Sequence, residues 1–443
     1  MLAPIERFLA IEAASGIVLL TAALVALLWA NSSYHQAYER LWQLPLGIRL
    51  GSLQFERDLH FVINDGLMTV FFFVVGLEIR REMHGGELSD LRRAALPLTA
   101  ALGGMLAPAA LFTALNRGQA SASGWGVPMA TDIAFAVGML ALLGQRVAPA
   151  LRVLLLALAV VDDIGAIIVI AVFYSSGIHA LGLVVVAAGI AAIAAMQKLG
   201  VRTSLAYVVP ALVIWSGAYV AGIHPTLAGV VVGLMTPARA WYGRDGFIDQ
   251  AEASVAALRA EAASRSEHQL LPQLQALATA RREAVSPVER LERALHGWVA
   301  FAIMPLFALA NAGVPVSGTG FGTHGWPVFA GIVLGLVIGK PVGILGLSWL
   351  AVRAGLATLP RGVRFSHVAV VGVVAGIGFT MAIFIAQLAF SRPELLATAK
   401  LAVLCGSAAA ALLGLGLGYV VLSPQGHAEG ALSAEQAEGS TQL

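Results

Sequence analysis

The chain of 443 residues has a single cysteine, Cys405. No disulfide can form within it, so the redox state of its compartment stays open. Cys405 lies in an apolar run, where a free cysteine acts as a small packing residue. Charge is scarce as well. Only 12% of residues are Asp, Glu, Lys or Arg, about half the ~25% of an ordinary soluble domain. That is too little polar material to face water on all sides. The net charge of +2 is too small to point to nucleic acid. Aromatics make up 7% and the apolar runs do not alternate, which argues against an aromatic-girdled barrel.

What remains is 58% hydrophobic, with 48 glycines and 18 prolines. Transmembrane helices tolerate both residue types better than soluble helices do. Apolar segments long enough to cross a bilayer, each of roughly 17–25 residues, recur along the chain. They are expected near 11–30, 59–79, 94–115, 122–144, 151–174, 180–199, 203–220, 222–236, 295–313, 326–350, 366–390 and 395–421. The expected fold is therefore an all-α polytopic membrane protein of about 12 helices. The first stretch, Leu9 to Ala30, is too long for a signal-peptide core, and Arg7 is its only basic flank.

Basic residues concentrate in alternate loops: Arg80, Arg81, Arg92 and Arg93; Arg146 and Arg152; Lys198 and Arg202; Arg353, Arg361 and Arg364. The positive-inside rule then puts both termini in the cytoplasm. Segment 31–58, with Arg40, Arg49 and Arg57, is an exception. It reads as an extracytoplasmic connection forming a small hairpin that could pair with a second subunit. Residues 237–294 mix both signs of charge and read as a cytoplasmic insertion with soluble helices over 249–284. Domain 1–421 holds all of this, and 422–443 reads as a disordered tail.

A charge in hydrocarbon marks function by default, because insertion costs ~2.5–3.5 kcal/mol. Four such charges stand out. Asp162 and Asp163 sit in LLLALAVVDDIGAIIVIAVFY, near mid-membrane. Adjacent helical residues point ~100° apart, so one can face a cavity while the other meets a partner on a neighbouring helix. Two carboxylates this close resist joint ionisation. Asp132 lies in WGVPMATDIAFAVGML behind Pro128. Proline removes a backbone donor, and Thr131 or Asp132 could cap a second half-helix. Lys340 lies in VLGLVIGKPVGILGLSWL. It could snorkel to the interface, but the apolar flanks favour a buried pairing with Asp162 or Asp163, and Lys340 could carry protons itself.

A second interruption is expected in VVGVVAGIGFTMAIFIAQLAF, where Gly372, Gly376 and Gly378 precede Phe379 and Thr380. It sits in the middle of the triplet 326–421, as the Asp132 segment sits in the middle of 94–174. Interrupted helices at matching positions in two halves point to inverted repeats with a midplane site.

At these residues the chain closely resembles the NhaA family of bacterial sodium/proton antiporters, over roughly 5–421. The motifs are long: INDGLMTVFFFVVGLEIRREM at 63–83, PMATDIAFAVGML at 128–140, LALAVVDDIGAIIVIAVFY at 156–174, GIHPTLAGV at 222–230, PLFALANAGV at 305–314, GKPVGI at 339–344 and GIGFTMAIFIAQLAF at 376–390. The resemblance implies an inverted-repeat fold with crossed, interrupted fourth and eleventh helices. It implies that Asp163 and Asp162 serve the ion and proton site, with Thr131 and Asp132 nearby. Lys340 is implied to pair with Asp162 or to stabilise the crossing, and Asp132 to balance the positive half-helix ends. A pH-sensing set is implied at Glu78, Arg81, Glu82, Glu292, His296 and His224. The family also implies a homodimer joined through 31–58 in the bacterial inner membrane. Exchange would be electrogenic and alkaline-activated, moving Na+ or Li+ against H+ with no cofactor. The chain departs from better-known members in its long insertion and in Gly297, which stands where proline is usual.

The expected function is secondary active exchange of intracellular Na+ for external protons, both competing for Asp163 and Asp162, with no enzymatic activity. The alternatives are a cation channel or a sodium-coupled symporter of an organic solute. An intramembrane aspartyl protease would need two aspartates facing each other from different helices, and Asp162 and Asp163 are neighbours on one.

Overall fold

The computed structural model describes residues 3–50, 53–175, 177, 179–264, 270–315 and 325–422. Within them, eight helices are long and apolar enough to cross a membrane without interruption. Two more spans are bent pairs, Ala122–Met129 with Ile133–Leu142 and Phe365–Ala375 with Phe379–Ala389. The first helix, Ala3–Ala30, and the short helix Thr226–Met235 complete the twelve segments read from the sequence. The chain is a multi-pass helical membrane protein.

The short eighth span is placed by glycine. Gly222 ends the seventh span in the left-handed conformation, at φ 76°, where a side chain would be strained. After the turn, Thr226–Met235 lies flat against the second span, Leu59–Gly85. A Cβ on Gly76 would sit 2.7 Å from the Val230 carbonyl oxygen. Only the bare backbone allows that approach.

The ninth span begins earlier than position 295. Ser286 accepts a hydrogen bond from the Glu289 amide at 3.2 Å, and Pro287 follows as the first helical residue. Cap and proline together start a helix that runs on through Asn311. Glu292 and His296 therefore stand on the span itself, although the sequence pattern places Glu292 in the loop. Three spans carry π-helical turns, at Val62–Leu67, Val299–Ile303 and Gly335–Gly339. Such turns widen a helix locally and often mark functional positions.

One element, within segment 31–58, is a β-hairpin. Pro45–Leu50 and Leu53–Asp58 pair as an antiparallel hairpin, with Pro45 opposite Asp58 and Leu50 opposite Leu53. Helices Gly243–Ser264 and Leu270–Glu283 pack together within the segment 237–294. The amides of Trp241 and Tyr242 donate to the Glu283 carbonyl at 3.1 and 3.2 Å, closing its base. The tail expected to be disordered lies, from residue 423 onward, outside the described residues.

Candidate functional site

The two interrupted spans meet at their breaks. The fourth bends by 41° and the eleventh by 51°. Residues 130–132 separate the halves of the fourth, and Gly376–Gly378 those of the eleventh. The breaks are stitched by backbone: the Asp132 amide donates to the Ile377 carbonyl at 2.7 Å. A Cβ on Gly378 would lie 3.0 Å from the Ala130 carbonyl oxygen, so glycine lets the chains cross this closely.

Each break exposes helix ends that need partners, because terminal amides and carbonyls have none inside the helix. Asp132 serves the amino ends. Its Oδ1 accepts from the Phe135 amide at 3.1 Å, capping Ile133–Leu142. Its Oδ2 accepts from the Thr380 amide at 3.1 Å and from the Thr380 hydroxyl. One buried carboxylate thus meets the positive ends of both second half-helices. The carboxyl ends are served by cationic and hydroxyl donors. The Lys340 ammonium donates to the Met129 carbonyl, and the Thr131 hydroxyl lies 3.0 Å from the Ala375 carbonyl oxygen.

The fifth span, Pro149–Phe173, is continuous and carries the paired acids past this crossing. Asp162 Oδ2 is 2.5 Å from Lys340 Nζ and 2.6 Å from the Thr131 hydroxyl. Both side chains of the Lys340–Asp162 pair have zero exposure. Thr131 has a single hydroxyl proton, so it donates to Asp162 or to Ala375, not to both at once. Asp163 points elsewhere. Its Oδ1 is buried without a hydrogen-bond partner among the described residues. The ~100° between neighbouring helix positions thus separates a tied acid from a free one. The second Asp162 oxygen, Oδ1, also lacks a partner among the described residues.

Lys340 follows the π-turn Gly335–Gly339 of the tenth span. That span packs along the third, and Gly104 sits within van der Waals reach of Lys340 Cγ, 3.6 Å from where a Cβ would be.

The residues implied for pH sensing divide into two places. Arg81 contacts Glu292 and lies 3.5 Å from Glu82, linking the second span to the ninth. Glu78 is one turn from Glu82 on the second span, and His296 one turn from Glu292 on the ninth. His224 is elsewhere, in the turn before the eighth span. Its Nδ1 is 2.9 Å from the Thr226 hydroxyl, and its Nε2 is 3.7 Å from Asp65 Oδ1.

Several polar residues in the membrane escaped the sequence reading. Asp65 lies in INDGLMTVFFFVVGLEIRREM, apart from the four charges that stand out in the sequence. Its acidic side chain inside an apolar run was the available signal. Lys400, partly buried on the twelfth span, carried the same signal. In sequence Thr380 simply follows the glycines, yet it binds Asp132 twice. No local pattern announces Ser407, whose hydroxyl accepts from the Phe379 amide at 3.0 Å.

Comparison with known proteins agrees with this architecture. A family model described as Na+/H+ antiporter 1 matches residues 6–417. The chain is 58% identical to the Na(+)/H(+) antiporter NhaA 2 of Myxococcus xanthus over 441 residues, covering 99% of this chain and 94% of the relative. It is 56% identical to the protein of that name in Sorangium cellulosum, with the same coverage. It is 50% identical to the Na(+)/H(+) antiporter NhaA of Bordetella petrii, over 94% of this chain and 90% of the relative. The chain belongs to the NhaA family of Na+/H+ antiporters.

Proposed function

We propose that this protein exchanges Na+ for H+ across a bacterial inner membrane, using Asp163 and Asp162 as a site that holds either ion. The observation that carries the proposal is the unpartnered Asp163 Oδ1 buried beside the ion-paired Asp162. An anionic oxygen with no donor, removed from water, is unstable unless a cation or a proton occupies it. Sodium prefers hard oxygen ligands, and Asp163, the free Asp162 oxygen and the Thr131 hydroxyl offer them. A proton on the same oxygens removes the charge that sodium needs. Exclusion becomes exchange when the site opens to one side at a time, as in inverted-repeat transporters.

Lys340 holds the counter-charge. With the site empty, its ammonium neutralises Asp162. Sodium drawing Asp162 toward itself competes with that ion pair. Movement of more than one proton against one sodium makes the cycle electrogenic. Li+ fits the same hard-oxygen chemistry. Asp132 does not need to touch the ion, because its two oxygens are engaged by Phe135 and Thr380 and hold the crossing together.

Both termini lie in the cytoplasm in this reading, supported by the basic alternate loops. The set Glu78, Arg81, Glu82, Glu292 and His296 then faces the cytoplasm at the inner ends of the second and ninth spans, where it senses pH. His224 is a second sensing candidate through its proximity to Asp65. The hairpin at 45–58 has strand edges suited to pairing with a second copy, which supports a homodimer.

Vesicle flux is the test. Sodium added to vesicles holding an imposed pH gradient should collapse that gradient in the unmodified protein. A gradient that persists, or sodium current without proton movement, would reject exchange.

A further inference from the structure

A second buried polar cluster lies away from the paired acids, in the hairpin-side half of the membrane. Asn64 comes from the π-turn of the second span, Asn311 from the end of the ninth, and Gln387 from the outer half of the interrupted eleventh. The Asn311 Nδ2 donates to Asn64 Oδ1 at 2.8 Å, and Gln387 Nε2 donates to Asn311 Oδ1. His60 completes the ring: its Nε2 is 3.0 Å from Asn311 Oδ1, and its Nδ1 is 3.1 Å from Asn64 Nδ2. A neutral imidazole with its proton on Nε2 satisfies both contacts. Asn311 is fully buried and Asn64 nearly so.

The same three elements contribute one aromatic ring each, close to their amides in sequence. Phe72 and Phe307 each lie against Phe384, with ring centroids 5.3 and 6.2 Å apart. All three rings are buried. Two layers, one apolar and one hydrogen-bonded, therefore join the second and ninth spans to the half-helix Phe379–Ala389. Its first turn carries Thr380, the residue bound to Asp132. Any motion that opens the hairpin side along this seam must separate the amides.

We propose that Asn64, Asn311, Gln387 and His60 form a latch that closes the hairpin side of the transport pathway, with Phe72, Phe307 and Phe384 as its dry layer. The latch acts through position and does not bind the ion. A buried amide pair needs its partner, since an unmatched donor or acceptor is costly. The seam therefore has two discrete states, closed with all groups paired or open with water on each, which suits a gate. Weakening it shifts the population toward the hairpin-side-open form. Apparent affinity for an ion scales with the fraction of protein in the competent state. The half-saturating sodium concentration should then fall on the hairpin side and rise on the other.

This inference rests on the exchange reading above. The test uses full-length protein in vesicles of known orientation, with sodium titrated from each side in turn. Gln387→Met keeps the volume and removes the donor. His60→Leu removes the bridging ring, and His60→Gln keeps polar atoms there. The ratio of half-saturating sodium between the two sides should move by roughly three- to tenfold in Gln387→Met and His60→Leu. It should move less in His60→Gln. A ratio that stays fixed, or two constants that move together, overturns the latch even if melting temperatures drop. Absence of exchange in the unmodified protein would instead overturn the functional reading beneath it, and the latch with it.

Discussion

Lys340 Nζ stands 2.5 Å from Asp162 Oδ2, while the next residue, Asp163, keeps a buried oxygen without any partner among the described residues. The pair assigns different work to chemically identical acids. Asp162 is balanced at rest by a resident cation. In the proposed exchange cycle, Asp163 is left for a cation that comes and goes.

Removing the free acid should therefore remove transport. Asp163→Asn is expected to abolish sodium-driven collapse of a pH gradient in vesicles while the protein still inserts and purifies. Undiminished dye dequenching in that variant would refute the assignment.

Breaking the resident pair should show first in stability. Lys340→Ala leaves Asp162 buried without its counter-charge, and loss of one partner from a buried pair costs ~3–5 kcal/mol. A clearly lowered melting temperature in detergent is expected, together with reduced exchange. A melting temperature and a rate equal to the unmodified protein's would count against any role for Lys340.

Thr380 offers a milder lesion at the crossing. Thr380→Val removes the hydroxyl donor to Asp132 and leaves the backbone donor in place. Hydrogen bonds to charged groups contribute ~1.5–3 kcal/mol, so the melting temperature should fall by less than in Lys340→Ala. Equal or larger destabilisation would mean that the crossing depends on Thr380 for more than this bond.

The paired acids, Asp132 and Lys340 were legible in the sequence because a charge inside twenty apolar residues has no other cheap explanation. Both interruptions were legible as well, from Pro128 and from the glycines before Phe379. The start of the ninth span was less visible. Its first turns, at 287–294, are charged and resemble the insertion before them, and only the cap at Ser286 separates the two. Neutral amides were not visible at all. Asn64, Asn311 and Gln387 are ordinary residues one at a time, and only three-dimensional packing brings them to one another. Helical phase alone does not say which of Asp162 and Asp163 takes the lysine; only the family resemblance pointed to Asp162.

At the basic face, Arg81 and Glu292 tie the second span to the ninth. Glu292→Gln removes the acid at nearly constant shape. The pH at half-maximal exchange should move while the maximal rate and the melting temperature stay close to those of the unmodified protein. An unaltered pH profile would remove Glu292 from the sensing set.

Mutual exclusion of the two ions is the central claim, and proton release on sodium binding tests it most directly. Acidic solution loads the carboxylates with protons and should raise the half-saturating sodium concentration, by about tenfold per pH unit for each proton displaced. Calorimetric titration of the purified protein with sodium, repeated in buffers of different ionisation enthalpy, counts those protons. The account predicts heats that vary with the buffer, corresponding to roughly one to two protons released per sodium bound. Sodium binding with no proton release, at an affinity indifferent to pH, would contradict it.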